Sequence, residues 1–426
     1  YVLFGIPSEN KAVLSKVAED GTVTEISVDS AGLPQFTGSL NSDARYGESV
    51  AMTSGSDGNL HIVIGAPEEV QATTGFTGSI SHYYVSTTPG ATEVTFHSSS
   101  ICDVGSTSTK RFGTDVAVVA GTSSFVYYSA VGSGCNVADG IPVAAYLFKA
   151  PSTSLRLNSV VQNHSSSASE DSIHKVAIIS GSSDVHLATT TNYVTGSPKG
   201  GLAVRLVDFT GGPPLPETNV LEIGHQVESI SGFSMAQYNK GPSATWGENS
   251  FFQVGQINSQ TGFLSVYRYD PGVASVADQL YSTAQIFSFN SKSQTSFASF
   301  NDSAIYDVVG NVPKLALASP YRETESIPIS QQIESGQPKQ VALLKLQLPD
   351  VTVDGGSSTL ISSEYLDPKP GPFADSPFSF GQGVSLDVTS DKYPIISCGQ
   401  PLYDNSAGNV HLLYRAPRRN TLSQHG

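Results

Sequence analysis

The sequence predicts an all-β protein, a seven-bladed β-propeller of four-stranded antiparallel blades, on three observations. A unit with an aromatic-Gly start and a Gly-Ala-Pro finish recurs along the 426 residues. Each clear copy holds several short segments that are either continuously apolar or alternate between apolar and polar. Turn residues divide these segments, with 40 Gly and 24 Pro in the chain.

The organising copy is Arg45 to Pro67, RYGESVAMTSGSDGNLHIVIGAP. His61 to Ile64 is apolar without alternation, the mark of a strand covered on both faces of its sheet. Gly65 and Ala66 are small enough for another backbone to come close, and Pro67 lacks the N–H that would extend the ladder. Tyr46-Gly47 is expected to begin the partner strand, with a ring to pack and a Gly where no side chain fits.

Taken in order, the first segment matches only the back half of this unit. Gly5-Ile6-Pro7 stands where Gly65-Ala66-Pro67 stands, and the leading strand is missing. The second unit adds GSISHYYVS and TEVTFHS, the latter alternating as an outer strand should. The third opens at Phe112-Gly113 and the fourth at the looser position Ile173. The fifth opens at Phe233-Ser234, and the sixth at Phe297-Ala298 with a strand expected to end at Pro320. The seventh opens at Phe380-Gly381. Successive starts lie between 60 and 83 residues apart. Such a period, with about four strands per unit, suits radial blades better than a solenoid. A pair of β-sandwiches would also give strands at this spacing. The propeller is read as one domain over residues 1–417, with the tail 418–426 available to close the ring.

Composition narrows the function classes. Lys and Arg number 22 against 37 Asp and Glu, a net charge of −15, which repels nucleic-acid phosphates and anionic membrane surfaces. No apolar run approaches the roughly 18 residues needed to cross a bilayer. A start at Tyr1 without Met reads as a mature product or part of something longer. Low charge and abundant Gly and Ser suit an extracellular or cell-surface β protein.

Of three cysteines, Cys102 and Cys135 fall in loops that a propeller would bring to one face. A disulfide between them is expected in an oxidising compartment, and two thiols in a reducing one. Cys398 sits inside an apolar strand and reads as a buried, inert thiol. Asn163 and Asn301 open N-glycosylation sequons in predicted loops. The histidines, His61 and His82 among them, show no metal-site spacing. The long connection from Tyr321 to Gln340 carries Arg322, Glu323 and Glu325 and is the candidate binding loop.

An aromatic-Gly start and a Gly-Ala-Pro finish resemble the FG-GAP repeats of the integrin α-subunit N-terminal propeller, most sharply in the second, third and seventh units. The resemblance implies a secreted or surface protein that binds proteins or glycans, and calcium in the loop between a blade's first two strands. The matching loop here is TSGSDGNL, where Asp57 and Asn59 are the candidate ligands for Ca2+. Serines stand where carboxylates would be expected, and Asp-Gly is itself a turn signal. The resulting expectation is a non-enzymatic propeller acting in adhesion or as a subunit of a surface or filamentous assembly. Two alternatives remain beside it, a carbohydrate-binding propeller and a glycan hydrolase or lyase on the same ring.

Overall fold

A computed structural model of the chain describes residues 1–18, 22–26, 36–37, 44–55, 58–71, 75–76, 78–86, 94–101, 112–120, 125–132, 144–151, 156–162, 173–180, 185–191, 201–207, 219–224, 229–238, 249–258, 261–269, 277–287, 302–321, 340–352, 356–366, 384–388, 392–400 and 409–414. The chain is all-β: among the described residues the helical part is one 3-10 turn, Pro7–Glu9. No described helix is long and apolar enough to cross a membrane. Two compact units divide the chain, Tyr1–Ile230 with Asn239–Glu248 and Asp270–Ala277, and Ser231–Tyr238 with Asn249–Tyr269 and Asp278–Gly426.

In the first unit the opening sheet has three strands, β1 (Val2–Ile6), β2 (Lys11–Val17) and β3 (Val23–Glu25), in that order. The second sheet begins with β4 (Ser49–Ser54) and β5 (Asn59–Ala66). A small hairpin of β6 (Val70–Gln71) and β7 (Gly75–Phe76) interrupts it before β8 (Ser79–Ser86) and β9 (Val94–Ile101) complete it. The third sheet is β10 (Asp115–Ala120), β11 (Phe125–Gly132), β12 (Ala144–Pro151) and β13 (Arg156–Gln162). The fourth is β14 (Ile173–Ser180), β15 (Val185–Thr191), β16 (Gly201–Val207) and β17 (Asn219–Gly224).

Almost all of the fifth sheet belongs to the second unit: β18 (Ser229–Tyr238), β19 (Asn249–Asn258), β20 (Thr261–Tyr269) and β21 (Ala277–Phe287). The sixth is β22 (Asp302–Val309), β23 (Val312–Tyr321), β24 (Gln340–Gln347) and β25 (Thr359–Leu366). The last has three described strands, β26 (Val384–Val388), β27 (Pro394–Gln400) and β28 (Asn409–Tyr414). Neighbours run antiparallel, as in β4 on β5, where Ser49 faces Gly65 and Thr53 faces His61.

β5 is buried along nearly its whole length. One face, Leu60, Ile62, Ile64 and Ala66, packs on Ala12 and Leu14 of the first sheet together with Phe36, Tyr46, Tyr83 and Val85. Each such branched side chain contributes about 1.5–3 kcal/mol on leaving water. In the second unit two comparable cores form. One joins Ala236, Phe251 and Val266 to Leu315, Leu317, Ala342, Leu344 and Leu346. The other packs Ala316, Ala318, Val341 and Leu343 on Leu386, Ile396 and Cys398. Because β23 and β24 feed both clusters from alternate residues, their continuous apolar sequence is explained.

The small residues of the repeat lock successive sheets together. A Cβ on Gly5 would overlap the Gly47 carbonyl, and one on Gly65 would overlap the Gly113 carbonyl. Each Gly-Ala-Pro or Gly-Ile-Pro glycine therefore sits against the aromatic-Gly glycine of the next sheet. The structure corrects two details of the sequence reading. The pairs Tyr46-Gly47 and Phe112-Gly113 do not start strands but form the turns before them, because both glycines adopt a left-handed φ, 89° and 91°, that a strand cannot hold. Pro320 does not end its strand: it pairs with Val341, and Tyr321 pairs beyond it with Gln340.

Candidate functional site

Most of the predicted site residues lie outside the described residues: Arg322, Glu323, Glu325, Asp57, Cys102, Cys135, Asn163 and Asn301. Asn59 is described. It opens β5, and its carbonyl accepts the Gly55 N–H at 2.7 Å while Gly58 N–H closes back on the Gly55 carbonyl at 3.2 Å. With Gly58 at φ 78°, this is the tight turn that Asp-Gly favours. No group of three or more His, Cys, Asp or Glu suited to a metal occurs among the described residues. Cys398 is the buried thiol expected, pushed up to about 12 by burial.

Among the described residues, a set of polar groups gathers at one end of the second sheet, where β4 begins, β5 ends and β8 begins. Sequence and turn geometry bring it together. Arg45 takes a left-handed φ of 52°, which turns the chain so that Tyr46 goes inward and Glu48 returns beside Arg45. The Glu48 N–H donates to the Arg45 carbonyl at 3.0 Å. After Pro67 has ended β5, Glu68 N–H donates to the Ala44 carbonyl at 3.1 Å and Glu69 N–H to the Ala66 carbonyl at 3.2 Å. Both acidic residues are thus held on backbone bonds at the strand end.

The guanidinium of Arg45 joins two of the carboxylates. Its Nε lies 2.5 Å from Glu48 Oε2 and its NH1 3.4 Å from Glu68 Oε1. The Arg45 and Glu68 side chains are 44% and 34% exposed, so this part of the cluster meets solvent. Behind it the Ser79 hydroxyl donates to Glu69 Oε2. Deeper still, the hydroxyls of Tyr46 and Tyr83 lie 2.6 Å apart, and Phe36 meets Tyr83 edge-on at 4.7 Å between centroids. Burial raises Tyr46 well above the usual phenol range, and the Tyr83 and Glu69 charges add to that. Burial also raises Tyr83, against hydrogen bonds from Tyr46 and Ser81 that lower it. Both phenols are therefore neutral near pH 7.

Sequence reasoning missed Glu68 and Glu69 because they flank the repeat unit without belonging to it, and Glu48 because it sits in the turn before the strand. The signal was the acidic pair directly after Pro67, at the end of the sheet where Arg45 precedes Tyr46.

No protein-family model and no curated protein sequence matches the chain. Solved structures do. Over 85% of this chain and 67% of its own, the NanB sialidase of Streptococcus pneumoniae (K499G mutant) aligns with a TM-score of 0.48 and 9% identity. The α-L-arabinanase of Penicillium chrysogenum covers 86% and 92%, with TM-score 0.48 and 8% identity. The α-L-arabinofuranosidase Arb93A of Fusarium graminearum covers the same shares, with TM-score 0.49 and 8% identity. All three are glycan-cleaving enzymes by name. This finding corrects the expectation of a non-enzymatic, integrin-like adhesion or structural protein.

Proposed function

We propose that this chain is a glycan hydrolase whose repeated sheets are the seven blades of a β-propeller, with its reacting groups at the Arg45 end of the second sheet. The observation that carries the reading is the meeting of Glu48 and Glu68 on one guanidinium at a partly exposed strand end, with Glu69 beside them on the Ser79 hydroxyl. Cleaving a glycosidic bond needs two carboxyl groups. One gives a proton to the leaving oxygen, and the other activates water or attacks the anomeric carbon. Glu68, solvent-facing beside Arg45, suits the carboxylate role. Glu69, next in the chain and bonded to the Ser79 hydroxyl, supplies the second carboxyl group. Its net charge of −15 and low content of charged residues fit work outside the cell on glycans.

The test is hydrolysis of chromogenic α-sialosides, α-L-arabinofuranosides and arabinan, the substrates that the solved structures' names suggest trying first. Turnover above buffer is expected on at least one class, with Glu68→Gln and Glu69→Gln each lowering kcat by roughly 10²- to 10⁴-fold. Absence of turnover on every class, or full activity in both variants, overturns the reading.

A further inference from the structure

We infer that Arg45 is a positioning residue that sets the spacing of Glu48 and Glu68; its purpose rests on the hydrolase reading above, but its geometry does not. Three independent features meet at this residue. It is one of only three non-glycine residues with positive φ among those described, the others being Asn10 and Lys392. Strain of that kind persists where surrounding contacts hold it, and it concentrates at working sites.

The contacts that hold it are visible on both sides. Asn10 Oδ1 accepts the Tyr46 N–H at 2.8 Å, and the Gly47 N–H donates to the Gly65 carbonyl at 2.9 Å. The turn is therefore pinned to the first sheet and to the end of β5. Its side chain then reaches both halves of the repeat unit. Nε takes Glu48 from the same turn, and NH1 takes Glu68 from the far end of β5. A planar guanidinium engages two carboxylates at different nitrogens at once, which the point charge of a lysine does not do. An exposed ion pair adds little to stability and would not by itself select a left-handed arginine. Fixing Glu68, one of the two acids assigned to the reaction, against Glu48 gives such a bridge a use.

Three variants separate backbone, charge and geometry. Arg45→Gly relieves the φ strain and removes the bridge; Arg45→Met removes the bridge alone; Arg45→Lys keeps the charge. Carbodiimide–amine labelling read by peptide mass spectrometry reports on the carboxylates without needing activity. Glu48 and Glu68 should label several-fold faster in the Met and Gly variants and to an intermediate degree in the Lys variant. On a hydrolysed glycoside, kcat should fall about 10- to 100-fold in the Met and Gly variants. KM should stay within about threefold, and the Gly variant should melt no lower than the Met variant. Unchanged labelling overturns the inference, and so does a kcat within twofold of the parent in the Met variant. A parent without turnover sinks the hydrolase reading alone, and labelling then decides whether the bridge exists.

Discussion

Asp302 shows how one carboxylate can hold two sheets and make stability depend on pH. Its Oδ2 accepts the Leu386 N–H at 2.8 Å and the Ser385 hydroxyl at 3.0 Å, and Oδ1 accepts its own Ser303 N–H at 2.8 Å. Asp115 does the same between the third and fourth sheets, accepting the Val176 N–H at 2.8 Å. Burial outweighs these bonds and raises Asp302 to about 6 from 3.8. The folded state then holds its proton more tightly than the unfolded state, so the stability contribution is full below about pH 4 and is lost as pH rises through 6. The loss should be on the order of 2 kcal/mol once solvent screening of a half-buried residue is allowed for. Asp302→Asn should flatten the stability profile between pH 4 and 6 in urea titrations; an unchanged slope would refute this. Asp307 runs the other way. Hydrogen bonds from Lys314 at 2.8 Å and Lys392 at 2.7 Å lower it to about 2, so its contribution is present above pH 4 and fades as pH falls through 2. Asp307→Asn should erase that acid limb in the same titration.

At the scale of the element, the glycines that separate successive sheets are the points of least tolerance. Gly65→Ala would set a methyl on the Gly113 carbonyl and should cost about 1–3 kcal/mol by overpacking, read as a lower denaturant midpoint at unchanged slope. The same change at Gly58, where a Cβ meets nothing, should cost less, through φ alone. Equal losses at the two sites would show that close packing is not the reason for the repeat's glycine. β27 offers a second check. Cys398 is 1% exposed against Leu386 and Ile396, and its thiol is pushed up to about 12 by burial. Alkylation at that cysteine, followed by mass spectrometry, should therefore track unfolding; rapid labelling of the folded protein would contradict the packing.

For the whole molecule, a net charge of −15 predicts self-repulsion that salt relieves. Raising ionic strength from about 0.01 to 0.15 M shortens the screening length from roughly 30 to 8 Å and should raise the melting temperature by a few degrees. A flat or falling salt response would count against it.

How far the sequence could be read follows from the range of the forces involved. Continuous apolar runs such as His61–Ile64 and the small residues after them are local signals of double burial and close approach, so the all-β character of the chain was legible. The left-handed turns at Gly47 and Gly113 were less so, because an aromatic-Gly pair fits either a strand start or the turn before it, and only the neighbouring backbone selects between them. By itself, then, the sequence determined the strand content, the repeat and where sheets must touch. The tertiary structure alone decided that Arg45, Glu48, Glu68 and Glu69 share one strand end, since hydrogen bonds and ion pairs act over about 3 Å between residues that the chain keeps some twenty positions apart.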